Sequence, residues 1–144
     1  MQEIRTTADI HATPERVWAV LTDFGAYRDW NPFITSASGA LQPGERLELR
    51  LEPPGANGRT VRAVLLEAEP GRELRWLVEG WLSGLLDEHH CISIVDKGPN
   101  RTHVIQRSTF TGLLVPFHRA RIETNLREGF ETMNRALKQR VQTA

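Results

Sequence analysis

Cysteine is almost missing from this chain of 144 residues, and Cys91 stands alone. A lone thiol excludes an intramolecular disulfide and fits a reducing compartment. An excess of one charge is missing as well: 18 Lys and Arg balance 18 Asp and Glu, for a formal net charge of zero. Such a balance carries no electrostatic footprint for nucleic acid and no polybasic segment for an anionic membrane. No apolar run approaches the roughly 18 residues that a membrane span requires. The opening MQEIRTTADI has no apolar stretch of the signal-peptide kind. Repeats, low-complexity tracts, G-x-G-x-x-G, Walker and G-x-S-x-G strings are absent too. What remains is an ordinary globular composition, 40% hydrophobic and 25% charged. The expectation is a cytoplasmic protein of one domain over residues 1–144, without membrane insertion, a nucleic-acid partner, a cofactor or a metal, and either a monomer or a homodimer.

The stretch EIRTTADIHA (3–12) is polar and extended in character. Thr13 before Pro14 reads as an N-cap with proline at the first helical position, and Glu15 suits the positive end of the helix dipole. PERVWAVLTDF then sets Val17, Trp18, Val20, Leu21 and Phe24 on one helical face, and Gly25 stops it. AYRDW predicts a second short helical turn that Asn31-Pro32 breaks. From residue 33 the period becomes two. RLELRLE alternates Leu47, Leu49 and Leu51 against charged partners. Strands are predicted over 59–69, 72–81, 85–96 and 102–112, the last two joined as a hairpin by KGPNR. After Pro116, Ile122, Leu126, Phe130, Met133, Leu137 and Val141 recur at spacings of three and four, which predicts one long amphipathic helix.

A strand, two short helices, a run of strands and one long helix make an α+β arrangement. Six or seven strands are wide, while one helix covers roughly 10 Å of that width. A curved antiparallel sheet around a single helix leaves space to close. The aromatic stretch YRDWNPF (27–33) is the candidate lining or lid. A plain core plug is the alternative, since aromatics dominate core packing in any case.

Three strings carry a resemblance: TPERVWAVLTDFGAYRDWNPF at 13–33, EPGRELRW at 69–76 and STFTGLLVP at 108–116. With the order of elements, they resemble the polyketide-cyclase/dehydrase-like (SRPBCC) branch of the START and birch-pollen-allergen superfamily. The resemblance covers essentially the whole chain. It implies the helix-grip fold, a curved antiparallel sheet of six or seven strands wrapped around a long C-terminal helix, with two short helices after the first strand. It also implies a START-like ligand-binding domain, in a superfamily of lipid carriers, ring cyclases, hormone receptors and stress proteins. The family pattern places a Glu-His pair in the strand before the last hairpin turn. That pair falls within DEHHC, either as Glu88-His89 or, one register later, with His90 as the family histidine. An acidic residue is usual shortly before F-x-G-L-L, and the residue at that place here is Ser108.

Strand parity groups the rest. Ile92 and Ile94 mark an apolar face that Leu86, Glu88 and His90 share; Val104 and Phe110 share theirs with Gln106 and Ser108. Antiparallel pairing sets His90 beside Gln106 or Ser108, according to register. The inward face is thus apolar near the turn and polar further along, as in an apolar cavity with a few convergent polar groups. The plainer alternative is a buried histidine bonded to Gln106 in a solid core. His89 and Cys91 face the other way, so DEHHC collects no three metal ligands on one face.

The expected ligand-binding residues are Trp30, Phe33 and Trp76, the hairpin residues Glu88, His90, Ile92, Gln106, Ser108 and Phe110, and Phe130 and Met133 on the long helix. The first functional expectation is binding of a hydrophobic or amphipathic small molecule, such as a lipid or a polycyclic or aromatic metabolite. A cyclase- or dehydratase-type enzyme is the alternative, with His90 as general acid or base and Glu88 beside it as the catalytic candidates. A protein-interaction module, with GLLVPF (112–117) as its patch, is the third.

Overall fold

The computed structural model describes residues 1–78 and 86–143. Residues 79–81 of one predicted strand and Leu85 of the next lie outside the described residues. The elements run β1 (Gln2–Ile10), α1 (Pro14–Thr22), a 3-10 turn (Phe24–Ala26), α2 (Tyr27–Trp30), then β2 (Ile34–Ser38), β3 (Arg46–Leu51), β4 (Arg59–Glu69), β5 (Glu73–Val78), β6 (Asp87–Asp96) and β7 (Thr102–Thr111). The chain ends in α3 (Val115–Arg121), a π-helical turn (Ile122–Leu126) and α4 (Arg127–Thr143). The strands form one curled antiparallel sheet in the order β1-β7-β6-β5-β4-β3-β2. This is the helix-grip fold read from the sequence.

Local chemistry explains the entry into α1. The Thr13 hydroxyl accepts the Arg16 N–H at 3.3 Å, and Pro14 occupies a first-turn position where its missing N–H costs nothing. The Tyr27 hydroxyl donates to the Leu21 carbonyl at 2.5 Å and pins α2 against α1. Burial and the nearby Asp23 charge raise the phenol pKa above its ordinary value, so it stays a donor. Asn31 ends α2 in an extended conformation, and its Oδ1 accepts the N–H groups of Phe33 and Ile34 at 3.0 and 2.9 Å. Thus Asn31-Pro32 both breaks the helix and starts β2.

The inner face of the sheet is built by parity. Leu47, Leu49 and Leu51 of β3, Leu74, Trp76 and Val78 of β5, and Ile92 and Ile94 of β6 are all buried. The long helix lays Ile122, Phe130, Met133, Leu137 and Val141 into the same core, with Leu126 packed at its margin. One difference from the predicted uninterrupted helix is the π turn between α3 and α4. Its wider spacing lets Ile122 keep contact with the core although the period is locally broken. Near its far end the helix is tied to the start of the fold: Arg16 Nε donates to the Val141 carbonyl at 2.9 Å, and the His11 N–H donates to Gln142 Oε1 at 2.8 Å. At the corner between β7 and α3, Leu113 and Phe117 are exposed.

Candidate functional site

Register decides which side chains meet. Trp76 of β5 pairs with His90 of β6, and His90 pairs with Ser108 of β7, which pairs with Ile4 of β1. The next row toward the β6–β7 turn is Leu74, Ile92, Gln106 and Thr6. The row on the other side is Val78, Glu88, Phe110 and Gln2. His90 is therefore opposite Ser108, one of the two registers left open by parity. Its ring also reaches diagonally to Gln106.

The polar groups form one connected chain. His90 Nδ1 lies 2.6 Å from Ser108 Oγ and 3.2 Å from Glu88 Oε2. The Ser108 hydroxyl donates to Glu88 Oε2 at 2.5 Å. On the opposite side of the ring, Nε2 lies 2.8 Å from Gln106 Oε1. Gln106 Nε2 donates to Asn134 Oδ1 of α4 at 2.8 Å, and Asn134 Nδ2 donates to Thr6 Oγ1 of β1 at 2.8 Å. Thr6 Oγ1 in turn lies 3.4 Å from the Gln106 carbonyl. His90, Gln106, Ser108, Asn134 and Thr6 are all buried, while the Glu88 side chain keeps 14% of its surface exposed. Glu88 is thus the member that reaches toward solvent. Each buried polar atom in such a chain needs its partner, because stranding one costs about 1–3 kcal/mol.

The apolar walls are aromatic. His90 stacks on Trp76 with centroids 4.6 Å apart and 13° between the planes. Phe130 meets His90 edge-on at 5.1 Å, and Phe33 meets Phe130 edge-on at 5.4 Å. Phe33 fits because Gly129 has no side chain: a Cβ there would fall 2.6 Å from the Phe33 ring. Trp30 belongs to another group. It packs edge-on against Tyr27 at 5.3 Å, and Tyr27 against Phe24 at 5.6 Å. The YRDWNPF stretch is therefore divided, Phe33 joining the His90 group and Tyr27 and Trp30 bracing the short helices. Ile92, Phe110 and Met133 are buried on the same inner surface. The side chains expected to line a cavity largely pack on one another.

Electrostatics separate the acid from its neighbours. Burial pushes the Glu88 carboxyl up, but the His90 hydrogen bond and charge, the Ser108 hydroxyl and the Arg59 charge together outweigh it, and its pKa is held below the ordinary value. On the outer face, burial and then the charges of Arg75, His90 and Arg107 lower His89. The Cys91 thiol is raised, chiefly by burial, and so is a poor nucleophile. Among the described residues no three His, Cys, Asp or Glu side chains converge on a metal position.

Two members of the chain were not singled out in the sequence. Asn134 occupies the position four after Phe130 and three before Leu137, inside the apolar stripe of α4. A polar residue at a buried helical phase is the signal that marks it. Thr6 sits two residues after Ile4 and four before Ile10 on the inward face of β1, and parity marks it in the same way. Both also floor a groove of about 470 Å³ between β1 and α4, rimmed by Arg5, Asp9, Glu131, Arg135 and Lys138.

Comparison with known proteins bears on the family and the fold. The family described as polyketide cyclase / dehydrase and lipid transport matches residues 1–142. No curated protein matches the sequence. Among solved structures, a START superfamily protein from Mycobacterium smegmatis is similar with a TM-score of 0.77 at 20% identity, over 97% of this chain and 97% of that one. Norcoclaurine synthase from Thalictrum flavum, in complex with dopamine and hydroxybenzaldehyde, is similar with a TM-score of 0.74 at 14% identity, over 98% of this chain and 86% of that one. The di-domain ARO/CYC StfQ of the steffimycin biosynthetic pathway is similar with a TM-score of 0.78 at 12% identity, over 97% of this chain and 50% of that one. At such identities the likeness is one of fold.

Proposed function

This chain belongs to the polyketide cyclase / dehydrase and lipid-transport family, and from that premise we propose that it binds a small hydrophobic or amphipathic molecule between sheet and α4, with the molecule's polar end at His90, Glu88 and Ser108. One observation carries the reading: a hydrogen-bonded polar cluster sits in the middle of an otherwise apolar inner face, with Glu88 as its outlet. A solid core gains little from such a cluster, since desolvating polar groups is costly and their hydrogen bonds return only about 0.5–1.5 kcal/mol each. A binding site gains orientation from it.

Native mass spectrometry of protein purified from its own source tests this by showing a bound compound directly. A hydrophobic dye should bind the folded protein saturably at about one to one. His90→Ala should weaken binding of the identified compound by about ten- to hundredfold, the worth of roughly 1–3 kcal/mol for an unpaired polar end. Folded protein that takes up neither dye nor compound sinks the reading.

The short links among Glu88, Ser108 and His90 favour a second reading, acid–base catalysis of the cyclase or dehydratase kind on the bound compound. The two separate cleanly. A carrier returns the compound unchanged after long incubation. An enzyme converts it, and His90→Ala and His90→Gln then lose about a hundred- to ten-thousandfold in turnover while still binding.

A further inference from the structure

The polar chain through the core runs in one direction. Its far end is set by a backbone carbonyl, that of Gln106, which accepts and never donates. The Thr6 hydroxyl faces it at 3.4 Å and has one proton to give. The Thr6 oxygen is then left to accept Asn134 Nδ2–H at 2.8 Å. With its nitrogen turned to Thr6, Asn134 presents Oδ1 to Gln106 Nε2–H at 2.8 Å. Gln106 must then present Oε1 to His90 Nε2 at 2.8 Å. A carboxamide oxygen gives no proton, so the hydrogen between them belongs to His90.

We propose that Thr6, Asn134 and Gln106 are positioning residues that hold a proton on His90 Nε2 in every protonation state of the site, which confines the exchangeable proton to His90 Nδ1, Ser108 and Glu88. The confined side has two balanced arrangements. In one, Nδ1–H donates to Ser108 Oγ, the Ser108 hydroxyl donates to an ionised Glu88, and the ring is an imidazolium. In the other, Glu88 holds the proton and donates to Ser108 Oγ, and Ser108 donates to a bare Nδ1. Going from one to the other moves one proton along each link and leaves Nε2 untouched. Because Glu88 is the partly exposed member, proton exchange with a ligand takes place on the Nδ1 side of the ring, away from the groove between β1 and α4. The three positioning residues come from β1, β7 and α4, so the helix takes part in setting the ring's state as well as in covering it.

The inference deepens the acid–base side of the proposed function and rests on it for its use. Its test needs no ligand, so the two fail separately. Histidine side chains are labelled with ¹⁵N and read by long-range ¹H–¹⁵N correlation, with His90 assigned by its loss in His90→Gln. In wild type the Nε2 signal should stay at the position of a protonated nitrogen at every pH at which the protein is folded, while Nδ1 alone shifts. A bare Nε2 in folded wild type at any pH overturns the proposal. Thr6→Val keeps the shape of the side chain and removes the hydroxyl. Freed of its end, the amide chain can reverse, and the Nε2 signal should move toward the bare-nitrogen position, with Thr6→Ser restoring it. A folded Thr6→Val protein whose Nε2 signal matches wild type throughout also overturns the proposal. Where Thr6→Val does not fold, the wild-type and Thr6→Ser spectra still decide.

Discussion

Adding one methyl group at Gly129 should give an effect whose sign depends on Phe33. In an unobstructed helix, glycine to alanine is favourable by about 1 kcal/mol. Here the new Cβ would lie 2.6 Å from Cδ1 and 2.7 Å from Cε1 of Phe33. Carbon atoms rest at roughly 3.5–4.0 Å, so the ring has to retreat by about 1 Å. It has little room, being 2% exposed and edge-on to Phe130 at 5.4 Å. Overpacking of this kind costs about 1–3 kcal/mol, which leaves Gly129→Ala between neutral and about 2 kcal/mol destabilising. Phe33→Ala alone should cost about 3–5 kcal/mol. In the Phe33→Ala background the obstacle is gone, and Gly129→Ala should then stabilise by about 1 kcal/mol. Urea titration of the four proteins, with unchanged m-values, gives the coupling directly. Stabilisation of wild type by Gly129→Ala, or the same effect in both backgrounds, would refute the packing argument.

Three further outcomes follow from the described geometry. Phe130→Ala should lose about 3–5 kcal/mol in the same titration, whereas Arg127→Ala, which breaks a half-exposed pair with Glu123, should lose no more than about 1. Thr13→Ala removes the cap that Arg16 N–H uses and should cost about 1 kcal/mol, with Thr13→Ser close to wild type. Glu88 has a folded-state pKa below its ordinary value of 4.5, so its contribution is full above that value and is lost as pH falls through the depressed one. Glu88→Gln should therefore flatten the fall of stability below about pH 4.5. An unchanged acid limb in the variant would show that Glu88 is not linked to folding.

Much of this fold was legible because its signals are local. Thr13-Pro14, Asn31-Pro32 and the alternation of RLELRLE each fix a boundary or a face within a few residues, and the structure places elements there. Phe130, Met133 and Leu137 could be placed by helical period alone. The site was legible by halves. Parity put His90 on the inner face with Gln106 and Ser108, but period two cannot choose between registers that differ by two residues. That choice is made by the tight turn at residues 97–101, where the Lys97 N–H bonds the Arg101 carbonyl. Asn134 and Thr6 were legible only as polar residues out of place. What joins them is tertiary: no local pattern relates a strand residue to a helix residue so far along the chain. The division of YRDWNPF into two ring groups was hidden for the same reason, since it depends on Gly129 admitting Phe33.

Thr6 and Asn134, hydrogen-bonded to each other, are separated by 128 positions, and Thr6 and Gln106 by 100. For a chain made from its N-terminus, that distance becomes a delay. β1 leaves the ribosome before the other strands of the sheet and waits for β7, the strand that pairs with it, until nearly the whole sheet has been made. Contacts closed over such long loops bear their entropy before they gain any stability, which slows folding and leaves strand edges open meanwhile. A nascent chain that has released β6 and β7 holds Glu88, His90, Gln106 and Ser108, yet it still lacks Asn134. The hydrogen-bonded chain from His90 to Thr6 therefore closes only when α4 arrives, and a stalled or truncated chain contains most of these residues without the link that joins them.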